Sequence, residues 1–575
     1  MQAQPMMDEW YSDSLTTWSD VLDTQGDLFA DKTLFVFEDQ EISYGDFRDA
    51  VDAFAKGLIN IGVKKNEVVG IWMTNSLNWV ICQFAVYKAG AVLLPLYSYY
   101  RQSELEYALN QANVSVLIMA DKFLGKVNAL KIAADTVAEM KTFNKWRFAS
   151  KKFPNLYSIV LLGDDCGLPS CIPFAEVPAR GVKSVSDYSL LKRQKSVTPF
   201  DVMNIMYTSG TTGFPKGGMS MHVTNLVTTG LWSALAELTP EDVILCHVPL
   251  FTNFGGLYGA PLGMRNGCKV IITEQFDAAE SLRIIEEHGV TYIPGTPSIF
   301  RMLLDHEDIT KRDLSSVTGG HVAGAHLTET TMSDILNVLG AKKILQAWGL
   351  SECGGLSTVS TQQQPLEKRL KSVGKPLPSS LVRIIDSESG QEATQGVQGE
   401  IQLGDRYPGS CVGNGYFNML EKTAETITPD GWFRTGDVGY FDEEGYLYVT
   451  GRVDDMFTVG GFNIYPAEIE NKLEQLSGIS EAYIVPAPDR RLGNVPVAWV
   501  QLEDDADLPQ GDIIVYCRQL MSPQKVPRRV IYYSHGELPL TPTGKLKKKE
   551  LADITARRIK ADQSVGEHLE KETQP

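Results

Sequence analysis

Val68-Val-Gly-Ile-Trp-Met73, Ala91-Val-Leu-Leu-Pro-Leu96 and Val114-Ser-Val-Leu-Ile-Met119 are three short, almost wholly apolar runs. A strand with one wet face alternates; a run that does not alternate belongs to a strand covered on both sides. Trp79 to Tyr87 reads as a helical stretch between the first two runs, and Phe47, Val51, Phe54, Ala55 and Leu58 recur at helical spacing before them. Strand, helix and strand in this order predict an α/β fold with a mostly parallel sheet covered on both faces.

The same alternation resumes around Asn204 to Tyr207, Lys269 to Thr273 and Lys343 to Ala347. Residues 123–155, rich in Lys and Ala, read as a helix or surface insertion, and residues 163–199, with their Gly, Pro, Ser and Asp, as connecting loops. Past residue 380, short strands with Gly turns dominate, as in Val397 to Leu403 and Tyr446 to Val449. The last part of the chain, with Val459-Gly-Gly461 near its start, reads as a separate small α/β unit, and the charged tail from Ala556 is expected to fray.

Composition narrows the class. A chain of 575 residues suggests several lobes, and 43% hydrophobic with 22% charged residues is the balance of a globular protein, which excludes a disordered chain. With 53 basic against 71 acidic residues the net charge is −18, so nucleic acid is not an expected partner. No basic head precedes an apolar run at the N-terminus, and no apolar stretch approaches the ~20 residues of a bilayer span, so no integral membrane segment is expected. Eight scattered cysteines without C-x-x-C read as reduced, cytoplasmic usage. The eight histidines show no H-E-x-x-H; His222 and His247 read as satisfied structural residues. Gly349-Leu-Ser351-Glu-Cys353 is not the G-x-S-x-G of a hydrolase elbow.

Chemistry concentrates in Tyr207-Thr-Ser-Gly-Thr-Thr-Gly-Phe-Pro-Lys216-Gly217. It follows a predicted strand and precedes a helix beginning near His222. Consecutive Ser, Thr and Gly residues aim hydroxyls and backbone N–H groups at one point, a polyphosphate site assisted by a lysine and the positive end of the following helix. The spacing is not that of a Walker loop. The bland alternative is a flexible surface loop.

Thr208 to Gly217 resembles the phosphate loop of the adenylate-forming superfamily, which holds acyl-CoA synthetases, carrier-loading adenylation domains and firefly luciferase. Four more segments resemble that family in family order: Gln346-Ala-Trp-Gly-Leu-Ser-Glu352, Gly431-Trp-Phe-Arg-Thr-Gly-Asp437, Gly451-Arg-Val-Asp454-Asp455 and Pro542-Thr-Gly-Lys545. The resemblance implies a large N-terminal AMP- and acyl-binding domain of several subdomains over 1–452. It also implies a small mobile α+β catalytic domain over 453–555, which leaves 556–575 as the charged tail.

It further implies roles. Thr208, Ser209, Gly210, Thr211, Thr212, Gly213 and Lys216 would hold the phosphates of ATP, and Glu352 the Mg²⁺, a hard cation suited to carboxylate oxygen. Gln346, Trp348, Gly349 and Ser351 belong to the adenylate segment, and Gly324 and Ala325 resemble the lining of the adenine plane. Asp437 would accept from the ribose hydroxyls and Arg452 would reach ribose or phosphate oxygens. Lys545 would bridge the carboxylate and α-phosphate as charge builds, with Thr208 and Glu352 the other catalytic residues. Asp454 marks the hinge, and Gly460 and Gly461 leave room for a pantetheine arm. Each has an ordinary alternative: solvated surface for Glu352, turn stabilisation for Asp437, a surface ion pair for Arg452, and for Lys545 a solvated basic face shared with Lys547, Lys548 and Lys549.

One departure stands out. Where acyl-CoA synthetases often carry Pro-x-Phe-His by the acyl pocket, this chain has Pro249-Leu-Phe-Thr252-Asn253, so a hydroxyl or amide replaces the imidazole. Thr252, Asn253 and Phe254 are the expected acyl-pocket residues. The implied activity is an ATP-dependent ligase that turns a fatty or similarly apolar carboxylic acid into acyl-AMP and then acyl-CoA, with ATP and CoA as co-substrates. Loading of a separate carrier protein, and a catalytically inactive nucleotide sensor or scaffold, remain as alternatives; monomer and homodimer both stay open.

Overall fold

The three apolar runs lie side by side. In the computed structural model, Val68–Trp72 pairs in parallel with Val92–Pro95 on one side and Val114–Ala120 on the other, and every residue of the three strands is buried. The structure describes residues 3–125, 127–143, 146–163, 168–208, 215–324, 327–387, 389–459, 462–489, 491–503, 506–534, 536–540 and 546–572. The chain divides into two compact units, 1–382 with 402–434, and 383–401 with 435–575.

The first unit holds two large sheets. A seven-stranded sheet runs in the order Lys216–Met221, Val202–Thr208, Val92–Pro95, Val68–Trp72, Val114–Ala120, Ser158–Leu162, Cys171–Pro173, and only its first strand is antiparallel. In a nine-stranded sheet, Lys343–Trp348, Gly319–Val322, Tyr292–Gly295, Val243–Cys246, Lys269–Ile272 and Thr33–Phe37 are parallel, with antiparallel strands at both edges. One continuous apolar core joins the two sheets and their helices. Tyr44–Ile61 buries the expected stripe, starts where the Ser43 hydroxyl accepts from Asp46 N–H, and stops at Gly62. Leu77–Lys88 is buried almost all round, as its mostly apolar sequence allows, and Gln83 and Lys88 are buried with it.

Several expectations need correction. Residues 163–199 are not merely loops: they contain the strand Cys171–Pro173 and the helices Glu176–Ser184 and Asp187–Gln194. Gly181, read as a loop signal, is a packing residue, because a Cβ there would lie 2.2 Å from the backbone N of Gly57 on the neighbouring helix. Residues 123–155 are not a surface insertion: Ala129–Thr136 and Glu139–Thr142 are helical, and Ala133, Val137, Met140 and Phe153 are buried. The helix after the phosphate loop begins at His222, but the six-residue strand Lys216–Met221 stands before it. At about 3.3 Å per residue that strand sets the start of the helix roughly 20 Å along the chain from Lys216.

The second unit contains the hairpin Phe433–Phe441 with Leu447–Arg452, whose first strand enters from the first unit. A mixed sheet follows, of Phe462–Ile464, Phe457–Val459, Gly493–Leu502, Ile479–Asp489 and Arg529–Tyr532, with its own core. The tail does not fray at Ala556: the helix Lys548–Glu572 runs through it. Leu551 and Thr555 are fully buried, and the Thr555 hydroxyl accepts from Trp499 Nε1 at 2.8 Å. Lys548 is no solvated lysine either. Its Nζ donates to both oxygens of Glu470 at 2.8 and 3.0 Å, and Ile484 N–H donates to the same carboxylate at 2.7 Å. Burial outweighs these partners and pushes the Glu470 carboxyl up.

His222, His247 and His321 are buried in the first unit, and burial lowers their pKa values to about 4, 4 and 3. Below the ordinary value near 6.5 only the unfolded chain takes up these protons, so stability is full above pH 6.5 and declines as pH falls toward 4. At pH 5 each imidazole should cost about 2 kcal/mol relative to pH 7. Denaturant titrations at the two pH values should show that decline in the first unit; midpoints that coincide would exclude it. In the second unit, Lys548→Met strands the buried Glu470 and should cost about 3 kcal/mol, read as faster hydrogen exchange over Pro466–Leu473 and Ile479–Asp489.

Candidate active site

Thr208 ends the strand Val202–Thr208, and its hydroxyl donates to Glu352 Oε1 at 3.2 Å. Tyr416 donates its phenol to the same oxygen at 3.1 Å. Glu352 is buried at 7% exposure, within the one-turn helix Ser351–Cys353. Three chain segments far apart in sequence therefore meet on one carboxylate. Small residues make the approach possible: a Cβ on Gly218 would lie 3.0 Å from Glu352 Cγ, and one on Gly413 would lie 2.5 Å from Glu352 O. Burial and the adjacent carboxylate push the Tyr416 phenol well above its ordinary range, so it stays a donor. Lys216 Nζ sits 5.4 Å above the Tyr416 ring.

The cluster stands at the carboxyl ends of parallel strands, where open α/β sheets bind ligands. Gln346 and Trp348 end the strand Lys343–Trp348, beside Gly319–Val322. Gln346 Oε1 is buried with no hydrogen-bond partner among the described residues. Gly324 lies just beyond its strand in a left-handed conformation, φ +86°, exposed and next to Phe254. Gly349 and Ser351 are half-buried in the turn that delivers Glu352. Ser209, Gly210, Thr211, Thr212, Gly213 and Ala325 lie outside the described residues.

Thr252, Asn253 and Phe254 come together on the same unit. Thr252 donates to Pro249 O at 2.7 Å, and Phe254 stacks on the His321 ring with centroids 5.2 Å apart. His321 Nδ1 accepts from Tyr292, whose oxygen accepts from Trp232 Nε1 at 2.9 Å. Burial keeps the imidazole neutral. His222 and His247 are likewise bonded inside the core, as expected: His247 meets Ser281 and Pro294 O, and His222 accepts from Trp18 N–H.

In the second unit, Asp437 and Arg452 face each other across the hairpin, with Arg452 Nη1 donating to Asp437 Oδ1 at 2.6 Å. Arg452 Nη2 also reaches Thr435 O at 3.4 Å. Gly436 adopts φ +69°, a left-handed conformation that favours glycine, and a Cβ there would press on the guanidinium at 3.0 Å. Asp454 is exposed in the short turn Val453–Asp455. Gly460, Gly461 and Lys545 lie outside the described residues; around the last, Leu540 pairs with Leu546.

A family model described as AMP-binding enzyme matches residues 22–417, and one described as AMP-binding enzyme C-terminal domain matches residues 468–545. The chain belongs to the AMP-binding enzymes. Among curated relatives, a 3-[(3aS,4S,7aS)-7a-methyl-1,5-dioxo-octahydro-1H-inden-4-yl]propanoyl:CoA ligase of Mycobacterium tuberculosis is 33% identical over 91% of this chain and 96% of its own. A mitochondrial medium-chain acyl-CoA ligase, ACSF2, of Danio rerio is 31% identical over 92% of this chain and 87% of its own. Among solved structures, ATP-bound MatB from Rhodopseudomonas palustris superposes with a TM-score of 0.78 at 24% identity, covering 94% of this chain and 99% of that one, which establishes the shared fold.

In this AMP-binding enzyme, sequence reading missed Tyr416. Its contact with Glu352 spans 64 residues and no motif joins the two; only the glycines around it, at 413 and 415, hint at a close approach. Tyr416→Phe removes one hydroxyl and keeps the ring. It should cost about 1.5–3 kcal/mol as a lost hydrogen bond to a charged group, measured by denaturant titration. A variant as stable as the parent would show that water replaces the phenol.

Proposed function

We propose that this AMP-binding enzyme is an AMP-forming acid–thiol ligase that activates a fatty or similarly apolar carboxylic acid with ATP and passes it to CoA. The observation that carries the reading is the buried Glu352 carboxylate, held by Thr208 and Tyr416 at the carboxyl ends of parallel strands. Relatives named as CoA ligases for a medium-chain acid and for a fused-ring propanoic acid support it.

In the first step a substrate carboxylate oxygen bonds to the α-phosphorus of ATP and the bond to the bridging oxygen breaks, giving acyl-AMP and pyrophosphate. Such a substitution needs charge neutralisation and positioning more than a base. In this reading Ser209 to Gly213 and Lys216 cradle the phosphates, Gly324, Ala325, Gln346, Trp348, Gly349 and Ser351 line the adenylate, and Asp437 with Arg452 takes the ribose. Lys545 neutralises the oxygens between carboxylate and α-phosphate. In the second step the CoA sulfur attacks the acyl carbon and AMP leaves. Asp454 is the hinge between domains divided at Arg452, and Gly460 with Gly461 admits the pantetheine arm.

Mg²⁺ fits the donor set. Both hydroxyls fall on Oε1 of Glu352, and no group of three or more His, Cys, Asp or Glu stands together among the described residues. A cation that keeps most of its waters and phosphate oxygens suits one carboxylate; held there by Glu352, it would neutralise phosphate charge. A reducing compartment, which we take as the cytoplasm, is supported by the seven cysteines among the described residues, all free and buried. No helix among the described residues is long and apolar enough to cross a membrane.

Pyrophosphate release from Mg·ATP across a panel of carboxylic acids, with and without CoA, tests the ligase. Release with a subset of acids, and acyl-CoA only when CoA is added, is the expected result. Acyl-AMP that never passes to CoA would indicate a carrier-protein acceptor, and ATP binding without release across the panel a sensor. Lys545→Ala should lower pyrophosphate release at least about 100-fold while leaving ATP binding within a few-fold; unchanged release would remove Lys545 from the chemistry.

A further inference from the structure

Beside Asn253 a narrow cavity of about 10 Å³, room for a single water-sized group such as one hydroxyl, is lined by Trp79, Gln83, Asn204 and Asn253 together with apolar Met206 and Leu250. Five polar atoms of these residues are buried without a hydrogen-bond partner among the described residues: Trp79 Nε1, Gln83 Oε1, Asn204 Oδ1, and both Asn253 Nδ2 and Oδ1. Trp79, Gln83 and Asn204 are at most 2% exposed. An unpaired buried polar group costs more than an apolar residue of its size, so such groups ordinarily have a partner, and several in one cavity call for one that arrives. A pocket for a plain alkyl chain has no use for them.

The chemistry of the missing partner follows from the donors and acceptors. The Gln83 amide is oriented by its own bonds: Nε2 donates to Gly256 O at 2.7 Å and to the Tyr87 oxygen at 3.1 Å. Its Oε1 is therefore an acceptor, whereas an indole N–H only donates. A group that satisfies both must donate and accept, and the smallest that does so on a carbon frame is a hydroxyl. The position follows from the strand Val202–Thr208. Asn204, Met206 and Thr208 alternate onto one face, so Thr208 meets Glu352 at one end while Met206 and Asn204 line the cavity. Four residues of strand place the polar cluster about 13 Å from Thr208.

We propose that the acyl pocket reads a hydroxyl group: the preferred acid has an apolar body and a hydroxyl remote from its carboxylate, bound by Trp79, Gln83, Asn204 and Asn253. The hydroxyl donates to Gln83 Oε1 or Asn204 Oδ1 and accepts from Trp79 Nε1 or the Asn253 amide. This rests on the ligase reading above.

The test uses the full chain and matched acids: octanoate, decanoate and dodecanoate, each beside its ω-hydroxy form and the corresponding terminal methyl ketone. At one chain length the hydroxy acid should exceed the plain acid by at least about 10-fold in kcat/KM for pyrophosphate release, as expected where buried polar groups meet an analogue that leaves them unpaired. Gln83→Met and Asn204→Leu should erase or reverse that preference, chiefly through KM for the hydroxy acid. Should a variant fail to fold, calorimetric binding of hydroxy and plain acids to the unaltered enzyme with a non-hydrolysable ATP analogue reads the same preference. Equal or better use of the plain acid at every length would overturn the proposal and assign the cavity to ordered water. Preference for the ketone over the hydroxy acid would overturn it as well. Silence with every acid, plain or substituted, would instead overturn the ligase reading on which it rests.

Discussion

A carboxylate taken out of water must be given donors in return, and the way Glu352 receives them constrains much of the first unit. Its two hydroxyl donors come from the end of the strand Val202–Thr208 and from Tyr416. Gly218 bridges to Tyr416 as an isolated antiparallel pair, and Gly413 N–H donates to Glu352 O at 3.1 Å. The strand that follows the phosphate loop, the turn carrying Glu352 and the segment before Tyr416 are thus fixed against one another. That explains why Lys216–Met221 is a strand rather than the start of a helix: paired to Val202–Thr208, it brings Gly218, without a side chain, to where the Glu352 carboxylate passes. A helix there would set its own side chains against Glu352.

How much of this was legible in the sequence depended on whether an interaction was local. Strands buried on both faces announce themselves, so Val68–Trp72, Val92–Pro95 and Val114–Ala120 were readable within a residue or two, and the parallel sheet followed. Thr208 and Glu352 were readable as members of motifs, and they do meet. Gly181 misled because glycine serves both turns and close helix contacts, and only the neighbouring Gly57 distinguishes the two. Tyr416 and Asn204 were not legible. One is a tyrosine in a loop and the other a polar residue inside an apolar strand, and each gains meaning only from atoms supplied by distant segments.

The Asp437–Arg452 pair illustrates a different economy. Asp437 is nearly buried while Arg452 is 42% exposed at its side chain, so the guanidinium compensates the carboxylate without itself losing much water. Arg452 Nη2 reaches Thr435 O as well, so the guanidinium ties the carboxylate and the backbone of the facing strand together. The ion pair read as the ordinary alternative for Arg452 is therefore formed.

The lysine run of the second unit shows why partners rather than sequence separate equivalent residues. Lys545, Lys547, Lys548 and Lys549 are alike as a string. In the fold, Lys548 holds the buried Glu470 and Lys547 reaches Glu550 at 3.4 Å on the surface. Glu470 also accepts from Ile484 N–H, so the anchor ties the start of the helix Lys548–Glu572 to the sheet strand Ile479–Asp489. Lys548 is thereby committed to structure while Lys547 stays on the surface, and that division of labour is what a basic run, read as composition, conceals.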